Sequence, residues 1–218
     1  MSILIHYLSG NAASFYPVIH HTVKGKMMRE LITHIQQEGV VVNDDVLKVN
    51  SFLNHQIDPQ LMQKIGAAFH AKFANHPITK ILTIEASGIA PALMTGLAFK
   101  APVVFARKSK SATLTDGNYA ASVVSYTKHT TNQVIVDRQF LTANDHVLII
   151  DDFLANGAAV HGLIGICNQA HCHLDGIGIV IEKAFQPGGK ALRAEGYPLK
   201  SLVRIKSLAN HHVTFMED

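Results

Sequence analysis

Two adjacent carboxylates, Asp151 and Asp152, follow an apolar run, Val147 to Ile150, and lie just ahead of Ala155, Asn156, Gly157, Ala158 and Ala159. The apolar run fits a buried strand, the segment around Gly157 a short loop, and the small residues beyond it the start of a helix. A strand end, a loop of free backbone N–H groups and a helix N-terminus together make a cradle for an anion. The paired acids beside it can accept hydrogen bonds from vicinal hydroxyls. A phosphate site next to a diol site describes a pocket for a ribose 5-phosphate.

Alternating elements must position these groups. Leu31, Ile32 and Ile35 share one face of a helix that opens at Met27-Met28 and stops at Gly39. Asp58 as N-cap and Pro59 at the first helical position start a second helix through Leu61, Met62, Ile65 and Phe69. Buried strands are predicted at Lys80 to Glu85, Val103 to Arg107, Gly176 to Lys183 and Ser201 to Ile205. A helix through Leu93, Leu97 and Phe99 separates the first two, and a hairpin is predicted from Ser122–Tyr126 and Gln133–Val136. Strands alternating with helices imply an α/β fold with a mostly parallel, twisted sheet covered on both faces. Such sheets bind ligands at the carboxyl ends of their strands. Those ends carry Glu85 to Gly88, Arg107-Lys108, Asp151-Asp152 and Glu182-Lys183.

The chain has 218 residues, 48% hydrophobic and 16% charged, which fits one globular domain with a sizeable core. A net charge of +3 without a dense basic run gives no support for nucleic-acid binding. No stretch approaches the roughly 18 apolar residues that span a membrane, and no signal peptide is recognisable at the N-terminus. Two cysteines, Cys167 and Cys172, read as free thiols, and a cytoplasmic location is expected. With His171 and His173 they lack zinc-site spacing and suit a helix end and turn better. Residues 1–26 differ in pattern from the rest and read as an extension ahead of a domain over 27–218, an ordered extra strand being the alternative.

The acidic motif, Asp151 to Gly157, resembles the PRPP-binding motif of the type I phosphoribosyltransferases (PRPP is 5-phosphoribosyl 1-pyrophosphate). Four further segments, VLKVNSFLNHQIDP (46–59), TIEASGIAP (83–91), VVFARK (103–108) and IVIEKAFQP (179–187), are similar to the bacterial xanthine phosphoribosyltransferases. The resemblance runs in order from about residue 28 to 216 and implies that family's fold, with a small N-terminal hood. It also implies a purine-salvage reaction of xanthine with PRPP, magnesium accompanying the pyrophosphate, and a cytoplasmic homodimer acting on small molecules.

On that resemblance Ala155, Asn156, Gly157, Ala158 and Ala159 hold the ribose 5-phosphate, and Asp151 and Asp152 receive the ribose hydroxyls. Adenine- and hypoxanthine-type relatives carry Thr-Gly-Gly-Thr where this chain has Asn156 to Ala159, so a hydroxyl donor is absent and backbone groups carry the contact. Ser87 and Gly88 fall in the pyrophosphate loop, although Ser87 would also serve as a helix N-cap. Arg107 and Lys108 suit pyrophosphate, Arg bidentately and Lys as a point charge, with a solvated basic turn as the alternative. Ser109 to Gly117 would then be a mobile lid. The resemblance makes Lys183, Leu47 and Asn54 the xanthine contacts; a salt bridge, a core leucine and a turn cap are their alternatives. No catalytic nucleophile and no side-chain metal ligand is assigned. Competing readings are a transferase for hypoxanthine, guanine or adenine, and a non-catalytic PRPP-binding regulator.

Overall fold

The computed structural model describes residues 23–109, 117–125 and 130–217. Its first helix, α1 (Val23–Glu38), turns Leu31 and Ile35 into the core. It begins earlier than the apolar period, which shows only from Met27 onward, so residues 23–26 belong to this helix. The remainder of the expected extension, and its alternative as a strand, lies outside the described residues. Gly39 follows the helix, its N–H donating to the Ile35 carbonyl at 3.0 Å.

Next comes a small antiparallel hairpin, β1 (Val40–Asn43) with β2 (Val46–Lys48), and then a π-helical turn over Asn50–Asn54. Only alternate residues of β1 are inward: Val41 is buried while Val40 and Val42 are exposed. In α2 (Pro59–Phe73) the cap is as expected: Asp58 Oδ1 accepts from Gln60 N at 2.9 Å and Leu61 N at 3.1 Å. The rest of the chain gives β3 (Lys80–Ile84), α3 (Ile89–Phe99), β4 (Val103–Ser109), β5 (Asn118–Ser125) and β6 (Thr130–Asp137). It continues through β7 (His146–Leu154), α4 (Ala158–Ala170), β8 (His173–Lys183), α5 (Pro187–Ala194), β9 (Leu199–Ala209) and β10 (His212–Phe215).

Eight strands form one sheet in the order β10-β9-β8-β7-β3-β4-β6-β5. From β9 to β4 all pairings are parallel, whereas β10 and the β5–β6 hairpin add antiparallel edges. The central strand β7 is buried on both faces. Leu148 and Ile150 pack with Phe69, Phe73 and Ile81 on the side of α1, α2 and α3. Val147 and Ile149 pack with Leu163, Ile166 and Leu192 on the side of α4 and α5. That alternation explains why its sequence is a continuous apolar run.

Helix α2 sits close on the sheet because two positions of β8 lack side chains. A Cβ at Gly178 would stand 2.8 Å from Phe69 Cδ1 and 2.6 Å from Ile150 Cδ1. Phe69 and Ile150 are fully buried and have no free space to yield. Gly178→Ala should therefore destabilise the fold by about 1–3 kcal/mol through overpacking. A urea-denaturation midpoint equal to that of the parent chain would contradict this account.

Candidate active site

The apolar run does not end the strand where the sequence suggested: β7 runs on through the acid pair to Leu154, paired with β8, and carries both carboxylates below the surface, Asp151 3% exposed and Asp152 7%. Asp152 N–H donates to Asp151 Oδ1 at 3.0 Å. Burial, followed by the neighbouring Asp152 charge, pushes the Asp151 carboxyl well above its ordinary value; the Lys108 ammonium opposes the shift. Lys108 of β4 thus bears on Asp151 from the neighbouring strand.

The turn between β3 and α3 approaches the same pair. A Cβ added at Gly88 would lie 3.0 Å from Asp151 Oδ1 and 2.3 Å from Thr83 Oγ1, so only glycine fits there. Thr83 is fully buried, and its hydroxyl has no hydrogen-bond partner among the described residues. Gly88 itself stands at the N-cap of α3 without a side-chain cap bond, so Ser87 is not the cap. The Glu85–Ala86 peptide is cis. Glu85 Oε1 accepts from Lys108 N at 2.6 Å, which ties this turn to the end of β4, where Arg107 and Lys108 are both exposed. Most of the expected lid, residues 110–116, lies outside the described residues.

Beyond β7 the chain reverses through Gly157, whose φ of +90° is left-handed backbone. Asn156 Oδ1 accepts from Ala158 N at 3.0 Å, and the Gly188 N–H of α5 donates to the Ala155 carbonyl at 3.0 Å. At Gly188 a Cβ would fall 2.6 Å from Ala155 O, Asn156 C and Gly157 N, all backbone atoms. The loop is therefore held from behind, and the leading N–H groups of α4 have no intrahelical acceptor. Cys167 and Cys172 lie at the far end of α4, where His171 takes the left-handed cap position and Cys172 N donates to Cys167 O at 3.2 Å.

At the end of β8, Lys183 Nζ donates to the Asp45 carbonyl in the β1–β2 turn at 2.5 Å and lies 5.6 Å from the centre of the Phe153 ring. Burial lowers its pKa, with the Asp45 charge acting the other way. The two other expected base contacts come from the same hood, in different settings. Leu47 is a core residue, 6% exposed and directed at Gly39, whereas Asn54 ends the π-helical turn and is exposed.

Sequence reading had not singled out Phe153, Thr83 or Asp45, and it had placed Glu182 among the strand-end polar groups without its structural partners. Of the first three, Phe153 alone had a signal, being the aromatic residue between the acids and the loop. Glu182 is 1% exposed and fully engaged, with Arg193 Nη1 and Nη2 at 2.7 and 2.6 Å and Ser201 Oγ at 2.5 Å. Those hydrogen bonds and charges hold its pKa down in spite of burial.

The sheet order and strand-end site define a phosphoribosyltransferase fold. Solved structures sharing it include adenine phosphoribosyltransferase from Rhodothermus marinus DSM 4252 (TM-score 0.65, 22% identity, 82% of this chain and 98% of that one). The Saccharomyces cerevisiae enzyme complexed with an imino-altritol bisphosphate and adenine aligns at a TM-score of 0.66, with 21% identity over 81% of this chain and 98% of that one. No family model matches the chain. Among curated proteins, xanthine phosphoribosyltransferase of Ligilactobacillus salivarius (strain UCC118) is 55% identical over 188 residues, 86% of this chain and 98% of that protein. That of Pseudomonas paraeruginosa (strain DSM 24068 / PA7) is 53% identical over 190 residues, 87% of this chain and 100% of that protein. The chain belongs to the xanthine phosphoribosyltransferase family, a group of pentosyltransferases.

Gly188 is where the loop is most sensitive to a change outside it. Gly188→Ala should displace the 155–157 backbone and leave the distant β5–β6 hairpin untouched. Amide chemical shifts should show it; unchanged resonances for Asn156 and Gly157 would refute the contact.

Proposed function

We propose that this chain transfers the phosphoribosyl group of PRPP to xanthine, giving xanthosine 5′-monophosphate and pyrophosphate. The observation that carries the reading is the convergence at the end of β7. A buried acid pair stands between a glycine-tight turn with a basic neighbour on one side and a braced anion loop on the other.

On this reading the backbone of Ala155 to Ala159 and the N-terminus of α4 hold the 5-phosphate. Asp151 and Asp152 accept from the ribose 2′ and 3′ hydroxyls. Ser87, Gly88, Arg107 and Lys108 face the pyrophosphate. Cleavage of the glycosidic bond builds positive charge on the ribose and negative charge on the departing pyrophosphate. The residues act by alignment and by stabilising that charge, so no protein nucleophile is needed. Lys183 donates to a xanthine oxygen while Phe153 borders the ring and Leu47 and Asn54 complete the hood side.

Magnesium fits as the companion of PRPP rather than as a resident ion. Among the described residues no three His, Cys, Asp or Glu side chains converge on one point, and this ion is commonly held by one or two carboxylates with phosphate oxygens and water. Asp151 and Asp152 are the carboxylates that would lie nearest. When bound, the ion offsets leaving-group charge.

We also read the protein as a homodimer through the α3 face. Leu93 and Leu97 are 54% and 60% exposed one turn apart, and Phe105 of β4, 43% exposed, falls on the same side of the sheet by alternation with Val104 and Ala106. A cytoplasmic location accords with two cysteines that are free in the structure. No helix among the described residues is long and apolar enough to cross a membrane. Residues ahead of α1 are read as an extension outside the transferase domain. In support, relatives matched over 98–100% of their own length span 86–88% of this chain.

Steady-state assays with xanthine, guanine, hypoxanthine and adenine, each with PRPP and magnesium, test the activity; negligible turnover of xanthine would overturn it. Lys183→Met should raise KM for xanthine by roughly 10–100-fold, with KM for PRPP within about twofold. Leu97→Asp should convert a dimer to a monomer in light scattering; an unchanged mass would reject α3 as the interface.

A further inference from the structure

The anion loop lacks a side-chain hydroxyl, so the way its backbone is fixed becomes the question. His161, one turn into α4, reaches back to it: both its backbone N–H and its Nδ1 lie 2.9 Å from the Gly157 carbonyl. The other ring nitrogen, Nε2, lies 3.0 and 3.2 Å from the Glu195 carboxylate oxygens at the end of α5. A backbone carbonyl and a carboxylate are both acceptors, so both bonds form together only when each ring nitrogen carries a proton. The ring also stacks close behind the left-handed glycine, where an added Cβ would lie 3.2 Å from Nδ1.

Helix α5 is the firm end of this clasp. Its Arg193 forks onto the buried Glu182, and its Gly188 N–H holds the Ala155 carbonyl. The His161–Glu195 link therefore joins one end of the loop to the helix that already grips the other. Because a peptide is planar and trans, fixing the Gly157 oxygen also fixes the direction of the Ala158 N–H on its far side, which donates to Asn156 Oδ1 at 3.0 Å within the loop. We propose that His161, clasped by Glu195, is a positioning residue that presets the loop for the 5-phosphate of PRPP. The inference rests on the reading of residues 155–159 as the phosphate loop.

Both side chains are substantially exposed, 40% for His161 and 44% for Glu195, so losing the link should cost the fold little. The expected signature is a split in the kinetics. His161→Ala should raise KM for PRPP about tenfold and leave kcat and KM for xanthine within about twofold, as for a lost uniform binding term. Glu195→Ala should move KM for PRPP in the same direction, and Glu195→Gln, whose amide oxygen still accepts, should recover most of that loss. The double variant His161→Ala/Glu195→Ala should be no worse than His161→Ala alone, because one link is broken once. Ala159→Asp, which puts a carboxylate into the loop, separates the two levels. If Ala159→Asp weakens PRPP binding while His161→Ala does not, the clasp is refuted and the loop reading stands. If Ala159→Asp leaves KM for PRPP unchanged, the loop reading falls and takes the clasp with it. A uniform loss of every kinetic constant together with a lowered melting temperature in His161→Ala would reduce the residue to a stabilising role and overturn the proposal.

Discussion

Strand β7 lies between two parallel neighbours with both faces buried, and everything at the site follows from how such a strand can end. Val147 to Ile150 admit no water, and the strand carries Asp151 and Asp152 below the surface as well before it ends at Leu154. Each flanking strand then sends a turn inward. From β3 comes Gly88, against Asp151 and Thr83; from β8 comes Gly188, against Ala155 to Gly157. Both are positions where a methyl group would collide with its neighbours. Gly88 tightens the turn against Asp151, and Gly188 tightens the loop that follows β7.

That geometry also separates the kinds of support. Buried Glu182 with its arginine fork is a network in which each acceptor is satisfied, and removing one partner would leave a charge stranded. The exposed bonds around the loop add little to global stability.

Much of this was legible in the chain. The apolar run, acid pair and glycine of 147–157 follow from burial and turn chemistry within one short window, and Asp58-Pro59 marks its helix start as directly. The hairpin of β1 and β2 was not read, because a run of three valines followed by a short turn offers too little period. Helix α5 was equally obscure: Pro187-Gly188-Gly189 reads as a turn, and the helix depends on a partner eleven residues earlier in Glu182. The start of α1 was hidden because Lys24-Gly25-Lys26 carries no apolar repeat. Asp151 meets Gly88 and Thr83 from 63 and 68 residues away, and no local pattern encodes that meeting. Roles assigned through Leu47 and Asn54 came from resemblance, since by residue type one is a core leucine and the other an exposed amide.

The bond from Lys183 to the hood reaches a main-chain carbonyl, that of Asp45, rather than a side chain. Any residue type that keeps the turn would present the same oxygen. The join between hood and sheet can therefore persist while the amino acid at position 45 drifts, and comparing residue identities would not reveal it. An ammonium has three protons to give, so holding that oxygen leaves the lysine two for whatever enters beneath the hood.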